Sequence, residues 1–394
     1  MDLFSLMHMN IRSISKHFDE LQLLLDNQTH QSFSLIGLTE TWLTQDTNLP
    51  FALNGYDFIV NNRQNKIGGG VALYVSQKFD FTIRNDISYM NDIIESLFVE
   101  ISLPGRTNIL VGVVYRPPNS NQNDFLKHLS ELLGNPLFNG KDSFILGDFN
   151  IDSLKYDTNI TSQEFLDIFL SASFLPLITK PTRITSQSAT LIDNIFCNIM
   201  PLPDSSVIMS DITDHFPIMT HFTLKQTINK VHYQPSRCRA TRENLSSLNS
   251  SFINADWSSV YNSNDIDLSF EHFLNEFNSH LDVHIPMNKN SSSNYKSSPR
   301  LPWISKSILR SINRKNNLYY KHKIEKTDES KNKYTTYKNK LTTIIRYEKR
   351  KYYSAQLALY KRDIKNTWKI LKQAMNISNN KSKINKIKAH DRVF

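Results

Sequence analysis

Seven short apolar runs constrain this 394-residue chain more than any other feature. They lie at 33–38, 71–75, 97–103, 109–115, 144–146, 191–196 and 216–222, and their Val, Ile and aromatic content, with Gly, Pro and Asn between them, predicts β-strands. Between some runs the spacing turns helical. Residues 14–25 put Phe18, Leu21, Leu24 and Leu25 on one face, and 124–133 and 162–170 carry similar stripes. Strands interleaved with helices over the first 224 residues predict one α/β domain.

No run approaches the roughly 18 apolar residues that a membrane span needs. The N-terminal MDLFSLMHMN lacks the basic start and long apolar core of a signal peptide. Cys197 and Cys238 are too few for a disulfide framework or a four-cysteine zinc site. Secretion and membrane insertion are not expected; an intracellular location is.

Net charge separates the chain into three parts. Residues 1–224 hold 13 Lys and Arg against 24 Asp and Glu, a net −11; residues 225–300 hold 8 against 7, a net +1; residues 301–394 hold 25 against 6, a net +19. The expected organisation is an α/β domain at 1–224, a Ser/Asn-rich connector at 225–300 with a short helical patch near 270–281, and a basic helical segment at 301–394. Within the last, Ile304, Ile308 and Ile312 recur every fourth residue, and Tyr353, Leu357, Tyr360, Ile364 and Leu371 continue at helical steps. No proline after Pro302 interrupts them. An acidic body followed by a basic end fits chemistry in one part and phosphate neutralisation in the other; the plainer reading is a solvated tail.

Several runs end on side chains that can do chemistry. SFILGDFNID releases Asp148, Asn150 and Asp152 at a strand tip, where alternate residues share a face; an Asx-rich turn is the bland alternative. SDITDHFPI places Asp214 and His215 ahead of an apolar run, a hard-cation ligand beside a proton carrier, though such a pair also occurs by chance. Glu40 follows the strand of LIGLTETWL, as a ligand for a hard cation or as a helix-opening acid. Tyr115 and Arg116 close VVYRPP, offering a phenol and a guanidinium to a phosphate or merely ending a strand. Asp193 in SATLIDNIF, with Ser188 and Thr190 on the same alternation, needs a partner if buried, and an imidazole would supply one. The Gly68-Gly69-Gly70 run has no following Lys-Ser/Thr and reads as a tight turn. In YEKRKYY, Lys349, Arg350 and Lys351 among tyrosines suit nucleic acid or a solvated helix face.

In order, HMNIRS, LTETWL, GGGVALYV, VVYRPP, ILGDFNID, TLIDNIF and SDITDHFPI resemble the endonuclease/exonuclease/phosphatase superfamily, within it the apurinic-like endonucleases of non-LTR (LINE, jockey-like) retrotransposons. The basic segment resembles the linker between endonuclease and reverse transcriptase in such elements. The resemblance implies two packed mixed β-sheets flanked by helices, followed by a basic, mostly helical extension. It implies Mg²⁺, with Mn²⁺ as a substitute, on Glu40, Asn10 and Asp214, and a scissile phosphate bound by Tyr115, Asn150 and Ser188 or Thr190. Asp148 would activate water or manage leaving-group protonation, and Asp193 would orient His215. No small-molecule cofactor and no membrane partner are implied.

The expected activity is nicking of DNA to leave a 3′-hydroxyl, with RNA as a further partner of the basic tail. No polymerase signature and no zinc knuckle follow, so the chain is expected to end in or just after the linker. Two alternatives stay open: an inactive nucleic-acid-binding remnant acting through its basic helices, and phosphomonoester or phosphoinositide hydrolysis. Asp211, three residues before Asp214, reads as a bystander.

Overall fold

The computed structural model describes residues 3–27, 32–44, 51–64, 68–103, 105–185, 187–224, 242–262, 265–285, 301–361, 363–376, 388–389 and 392–393. The chain opens with β1 (Leu3–Asn10), α1 (Ile14–Asn27), β2 (Leu35–Thr39), β3 (Tyr56–Asn61), β4 (Val71–Ser76) and β5 (Asp80–Ile83). It continues through β6 (Glu95–Ser102), β7 (Ile109–Tyr115), α2 (Gln122–Leu133), β8 (Ser143–Asp148) and α3 (Ile160–Ser171). Then come β9 (Leu175–Pro176), β10 (Arg183–Ile184), β11 (Ala189–Thr190), β12 (Asp193–Cys197), β13 (Asp204–Val207) and β14 (Ile218–Thr223).

These strands make two six-stranded mixed sheets, ordered β13-β14-β1-β2-β4-β3 and β5-β6-β7-β8-β12-β9. Each has one parallel pair at its centre, β1 with β2 and β7 with β8, and each pair is joined through a helix that crosses over one face. Strand alternation sorts the side chains into layers. From β1, Phe4 and Leu6 enter the core between the sheets with Val111, Val113, Leu146 and Ile195, while Met7 and Met9 face α1 through Ile14, Phe18 and Leu21. On the far side, Leu110, Val114 and Ile145 meet Phe125, Leu129, Phe165 and Phe169 of α2 and α3. The result is two packed sheets flanked by helices, the expected fold.

Besides the two-residue strands β9, β10 and β11, four strands went unread in the sequence. LFSLMHMN of β1 has no β-branched residue, and edge strands β3, β5 and β13 have no fully buried residue. Within the second sheet β8 lies tight against its neighbour β7: a Cβ on Gly147 would lie 2.0 Å from the Val114 carbonyl oxygen, so no side chain fits immediately before Asp148. The glycine run 68–70 is a tight turn with φ of +100°, +68° and +84°.

The described residues cluster as two compact units, 1–227 with 297–394, and 228–296. In the first unit, helices α7 (Lys306–Glu325) and α8 (Asp328–Leu359) form a hairpin, followed by α9 (Ile364–Ala374). Lys326 turns left-handed and Thr327 caps α8 through Ser330 N, which separates the hairpin's two arms. Trp303, Ile304, Ile308, Leu309, Ile312 and Leu341 pack on Leu23 of α1. The stripe of residues 353–371 is split by the Asp363 cap of α9.

The second unit holds α4 (Arg242–Ile253), α5 (Ser258–Tyr261) and α6 (Ile266–His284), with Phe252 stacked on Phe277 at 5.1 Å. Cys238 and residues 288–300 of the connector lie outside the described residues. No helix among the described residues is long and apolar enough to cross a membrane.

Candidate active site

Parallel strands end together, and here both central pairs end at the same edge of the sandwich. Asn10 is the last residue of β1, Glu40 follows β2, and Tyr115 and Asp148 end β7 and β8. Antiparallel β12 begins at that edge with Asp193 directly opposite Asp148, and His215 lies just before β14. Polar groups therefore gather where the apolar core between the sheets ends.

Asn10 joins the sheets. Its Nδ2 donates to Glu40 Oε1 and to Asp148 Oδ2, both at 2.8 Å, while its Oδ1 accepts from Arg12 N at 3.2 Å. Glu40 Oε2 accepts from Trp42 Nε1 at 3.3 Å, and the Arg12 guanidinium stands 3.9 Å away. Five non-glycine residues in these loops, Arg12, Ser13, Glu40, Trp42 and Asn150, have positive φ. Such backbone persists only where its surroundings hold it. One brace is visible: Thr41 N and Trp42 N donate to the Gly70 and Gly69 carbonyls, so the glycine turn supports the Glu40 loop.

His215 lies behind Asn10. Its Nδ1 is 2.9 and 3.1 Å from the Asp193 oxygens and 3.9 Å from Asp148 Oδ2. All three side chains are almost wholly buried, and a cluster of two carboxylates there requires a positive charge. Burial alone would lower the imidazole, but Asp193 and then Asp148 raise it to about 9. Burial alone would raise Asp193, yet the His215 charge leaves it below the usual carboxylate range. Asp148 goes the other way: burial, then the Asp193 charge, push its carboxyl up. A protonated ring is thus shared between one firmly ionised carboxylate and one that is easily protonated. Asp148, Asp193 and His215 also lie close enough together to hold a metal ion. The His215–Asp193 hydrogen bonds, with Asp148 3.9 Å from the same nitrogen, make them a proton-sharing group first.

Asp148 Oδ1 accepts from Asn150 N at 3.1 Å, and Asn150 Nδ2 donates to the Arg116 carbonyl at 2.8 Å. Tyr115 is buried beside this turn; burial, then the charges of Glu40 and Asp148, raise its phenol well above its ordinary value. Arg116 does not present its guanidinium outward. Its nitrogens donate to the carbonyls of Phe149, Asn150 and Ser120, bracing the Asp148–Asn150 turn. Asp152 likewise accepts from Leu191 N and Leu154 N as a turn anchor.

Asp214 lies at the rim with each oxygen engaged, Oδ1 by Arg12 at 2.6 Å and Oδ2 by Arg183 at 2.9 Å. Ser188 is exposed in the β10–β11 turn, its hydroxyl 2.9 Å from Thr185, and half-buried Thr190 pairs with Arg183; both lie on the hairpin and outside the buried cluster. Lys349 is ion-paired with Asp19 of α1 at 2.6 Å, whereas Arg350 and Lys351 are exposed.

Four contributors escaped the sequence reading. Thr182 donates to Asp193 Oδ2 at 2.7 Å, and Arg12 and Arg183 grip Asp214. His8, fully buried, lies 3.3 Å from Thr39 through Nε2, and burial lowers its pKa to about 4. Its signal was available: two residues before Asn10, it must share that residue's face. The site's free oxygens belong to carboxylates and carboxamides, and Cys197 is buried in the core between the sheets. This donor set suits a hard divalent cation.

Among solved structures, the chain is similar to the endonuclease domain of TRAS1, a telomere-specific non-LTR retrotransposon, at 15% identity over 57% of this chain and 100% of that one, with a TM-score of 0.46. It is also similar to the apurinic endonuclease LMAP from Leishmania major (11%, 56% and 87%, 0.45) and to the catalytic domain of Xenopus laevis APE2 (17%, 55% and 91%, 0.44). No curated protein matches it. The profile of the Endonuclease/Exonuclease/phosphatase family matches residues 7–215, from within β1 to the histidine of the buried cluster. With more than half of its length covered by that profile, the chain belongs to the endonuclease/exonuclease/phosphatase family of phosphoester hydrolases.

Proposed function

We propose that this chain is a Mg²⁺-dependent DNA endonuclease that nicks one strand and leaves a 3′-hydroxyl, as an element priming reverse transcription from chromosomal DNA requires. Mn²⁺ would substitute for Mg²⁺. The supporting observation is the Asn10 bridge, which draws Glu40 of one sheet and Asp148 of the other onto one amide beside the Asp193–His215 pair. The retrotransposon setting, and a nuclear location with it, rests on the seven ordered motifs and the basic C-terminal segment.

Glu40 and Asn10 are the proposed ligands, with Asp214 joining only by releasing an arginine. Bound there, Mg²⁺ supplies positive charge against the negative charge that develops on the phosphate. Asp148 accepts the proton of the attacking water, whose oxygen bonds to phosphorus as the bond to the 3′-oxygen breaks. The raised pKa of Asp148 makes it a stronger base than an ordinary carboxylate. His215, charged at neutral pH, stabilises the phosphorane oxygens, and Asp193 holds its ring and charge state. Tyr115 and Asn150 orient the phosphate, with Ser188 or Thr190 contributing from the β10–β11 hairpin. Arg350 and Lys351, both exposed, offer cations to nucleic acid, and Lys349 does so only by leaving Asp19.

Supercoiled plasmid incubated with the full chain and Mg²⁺ should become open-circular. EDTA, Asp148→Ala and His215→Ala should each abolish the conversion. Equal nicking by wild type and both variants would overturn the assignment.

A further inference from the structure

Helices α7 and α8 do more than follow the catalytic body; they grip the loop that carries His215. Asp211 sits in that loop, four residues before His215, with its side chain almost wholly buried. Lys315 of α7 pairs with Asp211 Oδ1. From α8, Tyr334 donates to Oδ2 at 2.6 Å and Lys338 stands 3.2 Å from the same oxygen. Burial alone would raise this carboxyl, but Lys315 and Lys338 hold it below the usual range.

Two more contacts flank the histidine. Tyr319 of α7 meets the Phe216 ring edge-on at 6.2 Å, and Lys323 Nζ donates to the Ile184 carbonyl at 2.6 Å. Ile184 belongs to β10, whose Arg183 bridges to His215. Inside the loop, the Thr213 hydroxyl donates to the Asn10 carbonyl at 3.0 Å and accepts from His215 N at 3.2 Å. A continuous set of contacts therefore runs from the helical hairpin through the Asp211 loop to Asn10 and His215.

The energetics say what this arrangement is for. The hairpin is already held by apolar packing of Trp303, Ile304, Ile308, Leu309, Ile312 and Leu341 on Leu23. A buried ion pair adds little net stability, because desolvation offsets the attraction, but it accepts only one geometry. Adhesion comes from the apolar patch and register from Asp211.

We propose that Asp211 is a positioning residue, through which the C-terminal helical hairpin holds the His215 loop in the register that phosphodiester cleavage needs. The proposal rests on the nuclease reading of the same site and assigns the basic helices a part in the chemistry besides any contact with nucleic acid.

Asp211→Asn keeps the side chain's shape and removes its charge. In the full chain, kcat for plasmid nicking should fall about tenfold with KM unchanged, the scale of a small misplacement of a catalytic group. Asp211→Glu, which restores the charge, should recover most of it. Undiminished kcat in Asp211→Asn, or a change confined to KM, would overturn the proposal. If Asp211→Asn fails to fold, Lys338→Met removes one countercharge at the partly exposed side of the pocket, and the same split of kcat from KM decides. If the wild type does not nick, the nuclease reading fails by itself and amide hydrogen exchange decides the latch. Faster exchange at residues 210–216 in Asp211→Asn, with β1 and β8 unchanged, supports it; unchanged exchange there refutes it.

Discussion

Two buried carboxylate sites lie a few residues apart in this protein, and they are neutralised in opposite senses. In the cluster at the strand ends, Asp148 and Asp193 share one imidazolium, and Glu40 stands on the far side of the Asn10 amide. At Asp211, one carboxylate faces two ammonium groups and a phenol. The first site is short of positive charge and is thus suited to a cation, whose charge would in turn attract a phosphate. The second has it in excess and is closed. The same chemical group makes a reactive centre or a fastening, depending on who supplies the countercharge.

The sharpest way to break that comparison is to remove the shared charge. His215→Ala should lower single-turnover nicking about 10³-fold, within the range expected for losing a donor to a developing oxyanion, well beyond the loss expected for Asp211→Asn. Similar losses for the two variants would erase the distinction. Glu40→Gln should raise the Mg²⁺ concentration for half-maximal nicking about tenfold or more, as loss of a ligand or its support commonly does, while Asp211→Asn should leave it unchanged. A Mg²⁺ titration of each variant tests this.

Neutral donors give a finer contrast. Thr182→Val removes a hydrogen bond to ionised Asp193 and should lower kcat about tenfold, the scale of a bond to a charged group. Tyr334→Phe removes a comparable bond to Asp211, where both lysines remain, so the expected loss is about threefold or less. The reverse order would say that the closed pocket is the more sensitive one.

The smallest effects lie in stability, at opposite ends of the pH scale. The His215 pKa is raised from 6.5 to about 9 by Asp193 and Asp148 against the effect of burial. Its contribution is complete below pH 6.5 and is lost as pH rises through about 9. Asp211 is lowered from 3.8, Lys315 and Lys338 outweighing burial, so its contribution is present above pH 3.8 and is lost as pH falls through its folded value. Melting temperatures against pH should show His215→Gln flattening the alkaline side and Asp211→Asn the acid side. A flattened acid side in His215→Gln alone would contradict these assignments.

Legibility in the sequence followed the same division. Glu40, Tyr115, Asp148 and Asp193 could be read because each ends or begins an apolar run, and a run fixes both its strand and its exposed end. The fold class came from the same runs, although β1 was passed over because Leu and Met are not strand-specific. Thr182, Arg12 and Arg183 could not be read, since only the folded β10–β11 hairpin and the loop after β1 carry them to Asp193 and Asp214. Asp211 was unreadable for a stronger reason: Tyr334 lies 123 residues away, on a helix whose lysines resemble a solvated face. Arg116 and Lys349 look alike as free cations in sequence, yet one is spent on carbonyls and the other on Asp19.

The central claim, an open carboxylate centre that cleaves DNA to leave a primer end, is tested most directly at the nick itself. Plasmid nicked by the full chain in Mg²⁺ is offered to a DNA polymerase with labelled nucleotides and no prior phosphatase treatment. Direct extension from the nick, absent with His215→Ala, is the expected result. Nicks that accept label only after 3′-phosphate removal, or no nicks, would contradict the account.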